Sequence, residues 1–496
     1  DETTPNDNII DSGTCGKNLA WKLTEAGTLT ISGTGEMDDS FFDADQISTP
    51  WKKYKSQIEK VVICKGVTSI GYCAFYNCNN LTSVYITDSV TVIRGYAFYL
   101  CPSLKNIKIP DSVTSIGAGV FRECYNLKEV TIPDSVTSIG AGAFRECYNL
   151  KEITIPGSVD TIEDEAFYGC RNLVNVIIEN GVRSIGGEAF RECNSLADLS
   201  IPDSVTKISG SAFSFCSKLK SVNVANGNPA YSSSDGIIFD KGKTEIVIYL
   251  SSKENKSYSI PTTITTVGDF AFFGCKNLTS INVPSGVTSI GYDAFRECYN
   301  LKEITIPDSV DTIGNGAFYG CRSLVNVIIE NGVRSIGGSA FNSCTRLKSI
   351  TIPDSVTSIG SAAFYNTGIY YDTSKWENNI FYIDEFLIDA KDTVSGEYIV
   401  KDGTKVIASR AFYGCTKLTS VTIPNSVTNI GESTFEGCSS LTSVTIPNSV
   451  TNIGESTFEG CSSLTSVTIS DGITSIGKYA FYGCKSLTSI TIPDGV

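Results

Sequence analysis

The sequence predicts a mostly β solenoid, in which parallel coils turn through short helical segments and two β-hairpins are inserted. Three observations predict it. Fifteen of the cysteines fall on a 23-residue grid: Cys78, Cys101, Cys124, Cys147, Cys170, Cys193 and Cys216, then Cys275, Cys298, Cys321 and Cys344, then Cys415, Cys438, Cys461 and Cys484. Each of them follows a phenylalanine by three residues. Between these marks the same order of apolar, proline and glycine positions recurs, and a period of 20 to 50 residues is the mark of units that bury their apolar side only by stacking.

The elements follow in chain order. Over the first 60 residues the grid is absent, yet Gly27-Thr28-Leu29-Thr30-Ile31-Ser32-Gly33 alternates polar and apolar residues between two glycines, as a strand between turns does. With Trp21, Trp51 and Val61-Val62-Ile63 it is expected to close the open end of the array, since a terminal coil otherwise exposes core. Residues 1–60 are therefore read as an N-terminal capping segment and 61–496 as the solenoid.

Leu127 to Asn149 represents the unit. Leu127, Val130 and Ile132 form a short strand with its apolar side inward, and Pro133 ends it because proline cannot donate to a ladder. Asp134 and Ser135 make a corner, and Val136 to Ile139 is a second extended segment. Gly140 permits the next bend, and Ala143 and Phe144 start a tight helical turn that also carries Cys147 inward. Seven inward side chains result: Leu127, Val130, Ile132, Val136, Ile139, Phe144 and Cys147.

Two insertions break the period, near 225–260 and near 370–394. The first contains Asp235 to Asp240 and Glu245 to Tyr249, the second Ile380 to Ile383 and Phe386 to Ile388, and each reads as a hairpin. The second follows Thr367, which stands where a grid cysteine is due. The chain ends partway through a repeat, at Ile492-Pro493-Asp494-Gly495-Val496, so the native protein is expected to continue. It begins at Asp1 without a secretory leader, and no stretch approaches the roughly 20 apolar residues that cross a bilayer. Membrane insertion by this segment is not expected.

With the unit established, the chain resembles the BspA-like leucine-rich repeat family of bacterial and protist surface proteins. The match is carried by L-T-S-V-T-I-P-N-S-V-T-N-I-G-E-S-T-F-E-G-C at Leu418 to Cys438, repeated letter for letter at Leu441 to Cys461, and extends over nearly all of 61–496. Unlike the commoner leucine-rich pattern, Pro-Asp or Pro-Asn follows the strand here. The resemblance implies leucine-rich-repeat-like coils in an exported protein, secreted or at the cell surface, whose role is adhesion or protein interaction.

Composition narrows the chemistry. With 53 acidic against 39 basic side chains and a net charge of −14, the surface repels phosphate backbones, so no nucleic-acid partner is expected. There is no histidine, which removes Ser-His and Cys-His nucleophiles and histidine metal ligation. One cysteine per coil lacks the paired spacing of a zinc site, and the grid thiols read as small buried hydrophobes. Asp384, Glu385 and Asp389 are an acidic group on the second insertion, read as solvated. Gly33-Thr34-Gly35 and Gly117-Ala118-Gly119 lack the rest of a phosphate-loop fingerprint and read as turns. No catalytic residue, cofactor or metal is expected, and the chain is not read as an enzyme.

Binding is expected on the open sheet face and on the insertions. Side chains between the inward ones form two outward columns, one with Glu129, Glu152, Asn175, Asp198, Glu303 and Asn326, the other with Tyr85, Lys108, Thr131, Thr154, Ile177, Thr305 and Ile328. Thr-rich columns suit a solvated sheet, which leaves Tyr85, Ile177 and Ile328 as candidates. Phe144 to Phe190 recurs at Phe295 to Phe341, so Ile177 and Ile328 are twins 151 residues apart, as a repetitive partner would favour. Tyr231, Trp376, Phe381 and Tyr382 are the candidates on the insertions, where aromatics either meet a ligand or staple the hairpin to its coil. The partner expected is a protein or glycan of a host or neighbouring cell surface. A second reading is a carbohydrate-binding or polymer-attachment module of a larger enzyme assembly.

Overall fold

The computed structural model describes residues 8–39, 42–43, 46–47 and 49–496. It is a parallel β-solenoid with almost no helix, in two compact units, Asp1–Lys253 and Glu254–Val496. Parts of the capping segment expected over 1–60, residues 1–7 among them, lie outside the described residues.

In the first unit Ile9–Gly16, Leu19–Thr24 and Thr28–Gly33 form an antiparallel meander. Thr28–Gly33 then pairs in parallel with Lys60–Ile63, and that strand with Ser83–Ile86, so the meander hands its ladder to the coils. Trp51 is fully buried, donates its indole N–H to the Ala74 carbonyl at 2.9 Å and stacks on Phe75 at 5.7 Å. It occupies the place of one more phenylalanine.

Within the coils the sequence period is the structural register. Asn106, Ile107 and Lys108 pair with Glu129, Val130 and Thr131, each 23 residues on. A second ladder pairs Ser115 and Ile116 with Ser138 and Ile139. All seven inward residues from Leu127 to Cys147 are buried. Phenylalanines from Phe75 to Phe213 stack with centroids 5.3 to 5.8 Å apart. The second unit repeats this from Phe272 to Phe364 and from Phe412 to Phe481.

The third corner is tighter than the helical turn expected there. It is a run of turns, and the 3-10 helices among the described residues, Lys52–Tyr54 and Thr373–Lys375, lie outside it. Left-handed backbone at Gly119 (φ +60°) and Glu123 (φ +59°) swings alternate N–H groups out of the coil. Gly119, Phe121 and Glu123 thus donate to Ala141, Ala143 and Arg145 of the next coil at 2.7 to 2.9 Å. The corners lie so close that a Cβ on Gly117 would meet the Gly95 nitrogen at 2.5 Å. Gly117-Ala118-Gly119 is therefore a turn, whereas Gly33 ends one strand and Gly35 begins another on either side of a bend at Thr34.

The grid thiols add a further ladder. Cys124 Sγ donates to the Phe98 carbonyl at 3.2 Å and Cys147 Sγ to that of Phe121 at 3.1 Å, and the pattern recurs as far as Cys484. A small buried donor suits this position, where it adds a second hydrogen bond to a carbonyl such as that of Phe121, which also accepts from the Cys124 N–H at 3.1 Å. Every cysteine is free, including Cys15, Cys64 and Cys73.

Both insertions are larger than hairpins. In the first unit Tyr231–Ser234 adds a strand to the pair Ile237–Asp240 and Glu245–Tyr249. In the second, Trp376–Glu377 precedes Ile380–Ile383 and Phe386–Ala390, and Phe386–Ala390 continues in parallel onto Val406–Ile407 of the next coil. The extra strands were illegible because each is short and mostly polar or follows a turn.

Candidate binding surfaces

Strand alternation sets the open face. Glu152, Thr154, Asn175 and Ile177 point to solvent, with Thr154 paired to Ile177 and Glu152 to Asn175. In the second unit Thr305 pairs with Ile328 and Glu303 with Asn326. Ile177 is 48% exposed, Ile328 49% and Tyr85 60%. Sequence reasoning missed their neighbours, Val174 at 56% and Val325 at 50%. A signal existed: the same position carries Lys105, Lys128, Lys151 and Lys302 or Thr82, Thr279, Thr419 and Thr442 in other coils, so valine there is an apolar break in a mainly polar column. Each unit therefore exposes a valine and an isoleucine three residues apart, Val174 with Ile177 and Val325 with Ile328, and Ile399, 73% exposed and paired with Thr422, adds a further apolar side chain to the same outward column of the second unit.

The aromatics of the insertions behave differently. Phe381 has no exposed surface and Tyr382 only 6%, with its hydroxyl 2.9 Å from that of Tyr398. They are core residues of the inserted sheet, which corrects their reading as ligand contacts. Apolar burial between the meander and its coil claims them first. Tyr231 is half-buried, and its hydroxyl accepts from the Ile208 N–H at 3.0 Å, pinning the first insertion to its coil. Trp376 is half-buried, stacks on Phe381 at 5.3 Å and donates its indole N–H to the Tyr370 carbonyl at 2.7 Å. It positions Tyr370 more than it presents a face of its own.

A second feature missed in the sequence is the Arg-Glu-Cys-Tyr-Asn segment of the turn corner. Tyr125 and Tyr148 stack at 5.0 Å, their hydroxyls donate to Glu123 and Glu146, and the Arg171 guanidinium lies 4.9 Å over the Tyr148 ring. With these polar tips engaged by neighbours, the column reads as a brace between coils.

Asp389 departs from its expected solvation. Asp384 and Glu385 are exposed, but Asp389 is half-buried on the wall of a cavity of about 230 Å³, where its carboxylate accepts from the Tyr370 hydroxyl at 3.1 Å and from the Ala390 N–H at 2.9 Å. Burial raises its pKa to about 6, against the lowering effect of those two hydrogen bonds. A folded pKa above the unfolded value means that the folded state holds the proton more tightly. The stabilisation is complete below pH 3.8 and is lost as pH rises through about 6. Asp389→Asn is expected to remove this slope and to raise stability at pH 7 by about 1–3 kcal/mol. Urea titrations of both proteins between pH 4 and 8 check it, and equal slopes would refute it.

Among the described residues no group of three or more His, Cys, Asp or Glu side chains could hold a metal ion, and no helix is long and apolar enough to cross a membrane.

The model of the BspA type leucine rich repeat region matches the chain in six copies, over residues 52–173, 137–234, 247–370 and 395–496. Among solved structures the chain is similar to a leucine-rich repeat protein of Eubacterium ventriosum (23% identity, 98% of each chain, TM-score 0.42). It is also similar to a leucine rich cell surface protein of Faecalibacterium prausnitzii (24% identity, 94% of this chain and 96% of that one, TM-score 0.44). A third is a leucine-rich repeat protein of Bacteroides ovatus (27% identity, 97% and 93%, TM-score 0.37). No curated protein matches the chain.

Proposed function

The chain belongs to the BspA-type leucine-rich repeat family, and from that premise we propose that it is an exported scaffold, secreted or at the cell surface, that adheres by binding protein partners across its open sheet face. Residues 1–60 serve as its cap and 61–496 as the array. We assign it no catalytic role, in keeping with a family of repeat proteins that are generally non-enzymatic.

The observation that carries this reading is the recurrence of one exposed apolar pair, Val174 with Ile177 and Val325 with Ile328, in two matched polar surroundings. Threonine serves an exposed strand position as well as isoleucine or valine does, and apolar anchors within a polar rim are what protein interfaces use. Duplication of the anchor suits a partner with repeated epitopes, for which two weak contacts combine through effective concentration. Tyr85 belongs to the same column and is a third proposed contact.

Parallel matrix-protein and glycan arrays test the reading. The intact chain is expected to bind protein spots, and Ile177→Glu or Ile328→Glu to weaken that binding about tenfold each. Both positions are solvent-facing, so far-UV circular dichroism should not change. Protein binding that survives in the double variant would overturn the reading.

A further inference from the structure

The corner ladder that joins successive coils parts at one place in the second unit. In the preceding coil the N–H groups of Ser339, Phe341 and Ser343 donate to the carbonyls of Ser361, Ala363 and Tyr365 at 2.8 to 3.0 Å. By the repeat, the N–H groups of Ala362, Phe364 and Asn366 would donate in turn to Ser409, Ala411 and Tyr413. Among the described residues none of these donors makes a hydrogen bond, and none of these carbonyls accepts one. The cause is the second insertion. Its strand Phe386–Ala390 pairs with Val406–Ile407 in the ladder place that the period would give to Ser358–Ile359. Ile388 and Asp389 thereby lie beside the two parted corners, whose coils stay joined where the Ser409 N–H donates to the Ile359 carbonyl at 2.9 Å.

The parting leaves the cavity of about 230 Å³ noted above, lined by both coils and the inserted strand. Tyr365 and Tyr413 flank it, each about half exposed, and Tyr370 meets Tyr365 edge-on at 5.2 Å. The Arg410 guanidinium lies 4.5 Å over the Tyr413 ring and pairs with Glu436 at 3.5 Å, and it lines the same cavity as the Asp389 carboxylate. Of the residues with unused backbone groups, Ala362, Phe364, Ser409 and Tyr413 line the wall, which also offers one carboxylate, one guanidinium and tyrosine rings. Opposite charges in one small space disfavour a ligand of net charge. A hydroxyl both donates and accepts, so a polyol can satisfy all of these groups at once, and a ring with an apolar C–H face can rest on tyrosine.

We propose that this opening is a saccharide site that seats one pyranose ring against Tyr365, with its hydroxyls bridging the parted ladder and reaching Asp389 and Arg410. Its volume, smaller than the ~300–1,000 Å³ of sites for drug-sized ligands, suits a single sugar residue of a longer glycan. The site lies apart from the apolar pairs of the sheet face in its chemistry and does not depend on them. The sequence concealed it, because the opening arises from where the inserted strand lands.

Saturation-transfer NMR on the intact chain tests it, using the methyl glycosides of glucose, galactose, mannose and N-acetylglucosamine as probes, with free glycine as the zwitterionic competitor. At least one glycoside is expected to bind with millimolar affinity, and Asp389→Asn and Tyr365→Ala to weaken it about tenfold or more. The first variant is isosteric and the second lies at an exposed position, so both are expected to fold, while Ile177→Glu with Ile328→Glu leaves glycoside binding unchanged. Absence of transfer from all four glycosides, equal binding to the pocket variants, or displacement by glycine would overturn the proposal.

Discussion

Phe144→Ala is expected to lower stability by about 3–5 kcal/mol, the cost of removing a fully buried aromatic side chain and leaving its cavity. Phe144 has no exposed surface and lies between Phe121 and Phe167, each with its ring centroid 5.3 Å away and planes inclined by 22° and 1°. Truncation therefore deletes two ring contacts as well as the transfer term, and the flanking coils cannot close the gap, because the inner ladder and the corner hydrogen bonds fix their spacing on both sides and the sheet-face ladder on one. In a solenoid this loss falls on the interfaces of one coil with its two neighbours, so the array is expected to open there first. Hydrogen exchange should show the protection of 119–170 falling before that of more distant coils. Phe481 is only partly buried and stacks on Phe458 at 5.5 Å. Phe481→Ala should cost clearly less, and equal urea midpoints for the two variants would refute the ladder's role.

What was legible in the sequence is what the period enforces. Residues that recur every 23 positions meet their own copies, so identity along the grid translates directly into a column, whether of Phe, of Cys or of the inward Ile and Val. The face each residue takes was also legible, since Ile177 and Ile328 stand at outward strand positions and are exposed as alternation requires. Three things were not. The corner looked like a helical turn because alanine and phenylalanine are compatible with one, whereas left-handed residues at two places per turn redirect its N–H groups to the next coil. Phe381 and Tyr382 looked like ligand contacts because an insertion has no period to assign inside and outside. Asp389 looked solvated beside Asp384 and Glu385, but strand alternation and the landing point of the inserted strand set it on a cavity wall.

The central claim is that the cysteine grid marks the interior of stacked coils, and alkylation of thiols in the native protein tests it most directly. All cysteines but Cys64 and Cys484 are buried. Burial pushes the thiols of Cys124, Cys170 and Cys216 up to about 12, with a hydrogen bond from the backbone of the preceding grid cysteine (Cys101, Cys147 and Cys193) as a smaller, opposing influence. Since the thiolate is the reactive form, this alone slows alkylation on the order of a thousandfold near pH 8, before any steric protection. Timed labelling with a maleimide, read by mass spectrometry, is predicted to modify Cys64 and Cys484 promptly and the buried grid thiols only after denaturation. Prompt modification of most of the 18 cysteines in the folded chain would contradict it.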